Sequence, residues 1–187
     1  MKFLKAPLEG PHIIEPERRE DHRGFLARLF CEREFAAAGL EGRFVQINNS
    51  TSLRKGIVRG LHYQAPPHSE VKVMRVIRGA IFDVVVDVRL GSPTFGRWFG
   101  AELSAGNRLM MYSPRGFAHG FMSLTDDVEV IYLTSSSYAP GSERGVRFDD
   151  PGVGVAWPAP PLEVSDKDRS WPDLDPATHG VVIEGGA

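Results

Sequence analysis

The chain has 187 residues, with 22 Lys and Arg against 24 Asp and Glu and a formal net charge of -2, which excludes the polycationic surface of a nucleic-acid binder. Its 20 Gly and 14 Pro make up about 18% of the chain, above a typical ~12% but below the ~25–30% of low-complexity sequences, so many turns surround a packed core. A single cysteine, Cys31, allows no internal disulfide and fits a reducing compartment. The opening MKFLKAPLEGPH is interrupted by charge and Pro too early for a secretory segment. The most apolar stretch, Ile81 to Val88, is broken by Asp83 and Asp87 and is far too short to span a bilayer. These features predict a soluble, cytoplasmic protein with one domain over residues 1–187 and with neither a membrane nor a nucleic-acid partner.

In chain order, the first predicted element is a helix from Glu32 to Ala38, closed by Gly39, a residue type suited to a left-handed cap. Beyond it the signal has period two. Segments Phe44–Ser50, Gly56–Gln64 and Val71–Arg78 read as short strands. Next, Phe82, Val84, Val86 and Val88 share one face of a strand whose other face carries Asp83, Val85 and Asp87. Asp83 and Asp87 read as organisers of turns and outer-face pairs. Trp98–Leu103 and Leu109–Ser113 follow, and Val128, Val130, Tyr132, Thr134, Ser136 and Tyr138 share a face if that strand runs unbroken. Short strands punctuated by Gly, Pro and Asn predict an all-β sandwich or barrel. Residues from about 175 to 187, ending Glu-Gly-Gly-Ala, read as a loosely held tail.

Strand parity makes three polar side chains conspicuous. His62 shares a predicted face with Val58 and Gln64, Lys72 with Met74 and Val76, and Tyr132 with Val128 and Val130. A lysine facing into a barrel is rare, because burying an unpaired ammonium is costly. Taken singly, Lys72 also reads as a solubilising outer residue and His62 as a structural one. Their neighbours in the sequence distinguish the readings.

One segment runs Gly56-x5-His62-x-Gln64-x5-Glu70, and a second is Pro114-Arg115-Gly116-Phe117-Ala118-His119, where Pro and Gly shape a turn that includes His119. The two segments resemble the double motif of the cupin superfamily, which implies an antiparallel β-barrel, or jelly roll, with few short helices and with His119 delivered to the barrel mouth. Gln64 stands where metal-binding cupins carry a second His, and a lysine two residues beyond Glu70 repels a divalent cation. His62, Glu70 and His119 still compose a two-His-one-carboxylate set of the kind that suits iron.

Longer strings are more specific. Asp21-His22-Arg23-Gly24-Phe25, Gln46-Ile47-Asn48-Asn49-Ser50, Arg59-Gly60-Leu61-His62-Tyr63-Gln64, Ser92-Pro93-Thr94-Phe95-Gly96, Gly116-Phe117-Ala118-His119-Gly120-Phe121 and Ser165-Asp166-Lys167-Asp168 occur in this order. Together they resemble the dTDP-4-dehydrorhamnose 3,5-epimerase family, from about Asp21 to Pro172. The resemblance implies inversion of C3 and C5 of a nucleotide-linked 4-keto-6-deoxy sugar, with no metal and no organic cofactor. It implies His62 as base, Asp168 as the carboxylate that fixes its tautomer, Lys72 beside the C4 oxygen and Tyr132 as the acid on the opposite face. Histidine's ordinary titration near ~6.5 suits a base at neutral pH. Substrate contacts are implied for Arg23, Gln46, Asn48, Arg59, His119, Glu143 and Lys167, and Tyr138 is similar to the family aromatic that stacks on the pyrimidine. Arg59, Lys72 and Lys167 would form a local positive cluster facing a diphosphate. Arg28 departs from the pattern, standing where many members carry Glu. The family resemblance also implies a homodimer in which the segment around Arg23 reaches the partner's site. Three other functions stay open at this point: epimerisation at C3 or C5 alone or on another nucleotide sugar, a metal-dependent cupin oxygenase or isomerase, and a sugar-nucleotide-binding module without activity.

Overall fold

The computed structural model describes residues 1–183. Its strands are β1 (Lys2–Lys5), β2 (His12–Glu15), β3 (Arg18–Asp21) and β4 (Gly24–Ala27), followed by helix α1 (Glu32–Ala37). Then come β5 (Gln46–Ser52), β6 (Ile57–Gln64), β7 (Lys72–Arg78), β8 (Ala80–Asp87), β9 (Trp98–Ser104) and β10 (Met110–Ser113). The chain continues through β11 (Phe117–Ser123), β12 (Val128–Thr134), β13 (Glu143–Gly145), β14 (Glu163–Val164), α2 (Asp166–Ser170) and α3 (Pro176–His179). The first sheet has the order β1-β2-β10-β7-β12-β5 and the second β13-β6-β11-β8-β9, with β14 added in parallel to β6. All other pairings are antiparallel strands. This is the expected all-β, cupin-type architecture with few short helices.

The barrel interior lies between the two sheets. Met74 and Val76 of β7 and Val128 and Val130 of β12 meet Ile81 and Val85 of β8 and Phe117 and Phe121 of β11. Because side chains alternate, Val84, Val86 and Val88 point out of the second sheet, where Val146, Val153 and Val181 of the C-terminal third cover them. Fully burying one such valine contributes about 1.5–3 kcal/mol. On the outer face of the first sheet, Phe35 of α1 packs with Ile14, Val73 and Met110. Its ring meets those of Phe3, Phe30 and Phe44 edge-on. Among the described residues no helix is long and apolar enough to cross a membrane.

Four expectations need correction. The segment from 175 is held rather than loose as far as Ile183: Asp175 caps α3, the Tyr63 hydroxyl donates to the carbonyl of His179, and Val181 bridges Arg89. Residues 184–187 lie outside the described residues. Asp83 is not an outer-face residue, since it shares the inward face with Val85 and is fully buried. His119 lies inside β11, not in the turn before it. The face expected to run on to Tyr138 stops at Thr134, so Tyr138 sits in the following loop with an exposed side chain.

Candidate active site

The sheets part at one end to leave a cavity of about 380 Å³, into which Arg59, His62, Lys72, His119, Tyr132, Lys167 and Asp168 all project. A contiguous lobe of about 180 Å³ is lined by Gln46, Asn48, Tyr138 and Glu143, and shares His62, Lys72 and Tyr132 with the first. The three shared residues therefore stand where the two lobes join. His62 and His119 are directly opposite on β6 and β11 of the second sheet. Lys72 and Tyr132 come from β7 and β12 of the first sheet, and Asn48 is the register partner of Tyr132 on β5. The cavity thus has two chemically different walls.

Local irregularity sets the second wall. The pairing of β6 with β11 shifts register between His119 and Phe121. As a result Val58 leaves the face predicted for it and packs outward with Met122, Phe148 and Val164. Arg59 and His62, which strict alternation would put on opposite faces, both line the cavity. The crossing requires Gly60: a Cβ there would lie 2.6 Å from the Cα of Gly120, and its φ is +119°.

His62 Nε2 lies 2.5 Å from Oδ1 of Asp168, whose Oδ2 accepts the Gly60 N–H at 3.2 Å. Asp168 reaches this position because Ser165 caps α2, its hydroxyl accepting the Asp168 N–H at 3.1 Å. Burial pushes the Asp168 carboxyl up, but the hydrogen bond and charge of His62, with Gly60 and Ser165, outweigh it and hold the group below the usual aspartate range. An ionised Asp168 keeps the proton on Nε2, leaving the lone pair on Nδ1. A second pair lies beside it: His119 Nε2 is 2.8 Å from Oδ1 of Asp83. Burial raises the Asp83 carboxyl, with His119 and then Lys72 opposing. Across the cavity, burial and then the charge of Glu70 raise the Tyr132 phenol, opposed by Arg59.

The charged residues divide by partner. Arg59 donates to Ser52 Oγ and the Thr51 carbonyl, so its hydrogen bonds take no carboxylate. Lys167 pairs with Glu143 Oε1 at 2.6 Å, and Tyr138 Oη donates to the other Glu143 oxygen at 2.8 Å. Gln46 Oε1 accepts the Tyr138 backbone N–H at 2.7 Å, fixing the aromatic loop to β5. Lys72 Nζ lies 3.1 Å from Glu70 Oε1. That contact and the His119–Asp83 pair divert two members of the iron set read from the sequence, and among the described residues no group of three His, Cys, Asp or Glu side chains is placed to hold a metal ion. Arg23 is the exception to the gathering. It sits at the tip of the β3–β4 hairpin, paired with Asp21 at 2.7 Å, and is outside the cavity of its own chain. Arg28 pairs with Glu34 at 2.6 Å. Ser50, Ser165, Met74 and Phe121, none of them expected from the sequence, also line the cavity. For Ser50, alternation with Asn48 along one strand was the available signal.

Residues 5–176 match the family model of dTDP-4-dehydrorhamnose 3,5-epimerase. The chain belongs to the dTDP-4-dehydrorhamnose 3,5-epimerase family. A family member from Methanothermobacter thermautotrophicus, a dTDP-4-dehydrorhamnose 3,5-epimerase, is 46% identical over 92% of this chain and 94% of its own. A dTDP-6-deoxy-D-glucose-3,5-epimerase from Legionella pneumophila, solved in complex with dTDP-4-keto-L-rhamnose, superposes with a TM-score of 0.90 at 36% identity, covering 97% of this chain and 98% of that one. A dTDP-4-dehydrorhamnose 3-epimerase from Streptomyces niveus is 40% identical over 90% of this chain and 82% of its own. This family membership makes the chain an isomerase of the epimerase class.

Proposed function

We propose that the protein inverts C3 and C5 of dTDP-4-keto-6-deoxy-D-glucose, giving dTDP-4-keto-L-rhamnose. The observation that carries this reading is the placement of a carboxylate-oriented histidine and a tyrosine on different sheets, lining both lobes of the cavity together with an ammonium. His62 Nδ1 removes the proton from a carbon next to the C4 ketone, and the C–H electrons move onto the C4 oxygen. The Lys72 ammonium, with His119 nearby, stabilises that enolate oxygen. Tyr132 gives its phenolic proton to the same carbon from the other face, which inverts it. Exchange with water then takes the proton from His62 and returns one to Tyr132. The second carbon repeats the sequence.

Arg59 offers a guanidinium fork to the diphosphate from the larger lobe, while Lys167 and Glu143 fix the rim. Tyr138, with Gln46 and Asn48 nearby, supplies the aromatic wall for the pyrimidine. The working unit is a homodimer in the cytoplasm. Support comes from an uncovered apolar face: Val45, Ile47 and Ile77 are exposed, and Phe25 and Leu26 project from the β3–β4 hairpin. A second copy seated on that face brings the hairpin tip, and with it Arg23, to the neighbouring site.

Turnover of dTDP- and CDP-linked 4-keto-6-deoxyglucose, measured side by side, tests the reading. The dTDP sugar should be the preferred substrate, and His62→Ala and Tyr132→Phe should each lower kcat by at least about a hundredfold. Wild-type turnover by either variant contradicts the assignment. A second reading, epimerisation at C3 alone, is favoured by the likeness to the Streptomyces niveus 3-epimerase and to a 3'-monoepimerase from Streptomyces bikiniensis.

A further inference from the structure

Glu70 has the chemistry of a metal ligand but a different set of partners. Its side chain is only 10% exposed, and its two oxygens are divided between two residues of the site. Oε1 lies 3.1 Å from Lys72 Nζ, and Oε2 accepts from Gln64 Nε2 at 3.2 Å. The Lys72 ammonium also donates to the His62 carbonyl at 3.3 Å. An ammonium has three hydrogens. Two are therefore committed to the protein, one to Glu70 and one to the His62 carbonyl, and one is left for a ligand in the cavity.

Gln64 extends the bracket to the aromatic loop. Its Oε1 accepts the Ala139 N–H at 2.6 Å, and its Nε2 also lies within hydrogen-bond reach of the His68 carbonyl at 3.1 Å and the Ser137 carbonyl at 3.3 Å. The amide's two N–H hydrogens are shared among these acceptors, while its oxygen ties the group that contacts Glu70 to the backbone just after Tyr138. We infer that Glu70, held by Gln64, is a positioning residue that fixes the Lys72 ammonium at the C4 oxygen and links its placement to the loop carrying Tyr138. This inference rests on the reading of Lys72 as the enolate-stabilising cation. Without Glu70, a four-carbon side chain with several rotamers would have to find one orientation unaided. The paired carboxylate also cancels the charge of a lysine that is only 14% exposed.

A double-mutant cycle with Glu70→Gln and Lys72→Met tests it, with kcat, KM and thermal midpoint measured for each variant. Glu70→Gln keeps the shape and the Gln64 contact but removes the charge. Its kcat should fall roughly tenfold to a hundredfold, the range that a misplaced catalytic group costs, while KM stays within about threefold. In the Lys72→Met background the same change should have no further effect on kcat, because Glu70 acts through Lys72. Glu70→Asp should recover part of the loss. Full multiplication of the two losses, or a loss in Glu70→Gln that follows the thermal midpoint, overturns the positioning role. Wild-type kcat in Glu70→Gln beside an inactive Lys72→Met overturns it while leaving the role of Lys72 intact. Wild-type kcat in Lys72→Met removes the reading underneath.

Discussion

Asp168 and Asp83 are chemically identical groups that their surroundings drive in opposite directions. The Asp168 carboxylate accepts from His62 and Gly60 and is held below its ordinary range, whereas Asp83 has one buried oxygen with no partner and is raised. The depressed Asp168 value makes a definite statement about stability. A carboxyl with a folded pKa below its unfolded one stabilises the fold above the unfolded value, and the contribution fades as pH falls through the folded value. Asp168→Asn should therefore flatten the acid side of the stability profile below about pH 4. The same substitution leaves His62 without a partner that selects its tautomer, so kcat should drop by about a hundredfold or more. Urea denaturation from pH 3 to 7 and steady-state kinetics check both, and an unchanged acid limb or an unchanged kcat would contradict the assignment.

At the level of elements, the strands with apolar alternation were legible and those without it were not. The run from Phe82 to Val88 declares itself because both faces are buried and only its aspartates interrupt it. Strand β11 is buried at every position, so Phe117–Ser123 carries no period-two signal and its Pro-Gly start looked like part of a turn. Strand β3, Arg-Arg-Glu-Asp, is exposed throughout and has no apolar face to reveal it. His62, Lys72 and Tyr132 could be read from parity, but Asp168 arrives from α2, over a hundred residues from His62, and only the Ser-Asp-Lys-Asp string marked it. The C-terminal segment was misread because its anchors are backbone groups and single side chains. The buried Tyr63 hydroxyl, with a pKa pushed up to about 12 by desolvation, remains a protonated donor to His179 across the working range. Tyr63→Phe should cost about 0.5–1.5 kcal/mol and speed amide exchange over residues 176–181. Exchange unchanged in that segment would show that the hydroxyl does not hold it.

For the whole molecule, composition excluded a nucleic-acid surface, and the structure locates the charges that near neutrality conceals. Arg59, Lys72 and Lys167 converge on one cavity, two of them already matched by Glu70 and Glu143. The deciding feature is that the two sheets face each other. In the proposed reaction, His62 on β6 as base and Tyr132 on β12 as acid reach opposite faces of a sugar ring without either moving across it, the geometry that inversion needs. The most direct measurement is an NMR time course in D2O with dTDP-4-keto-6-deoxy-D-glucose. Deuterium is expected at both C3 and C5 of an inverted product, with incorporation lost in His62→Ala. Deuterium at one carbon alone, or incorporation that persists in His62→Ala, would contradict it.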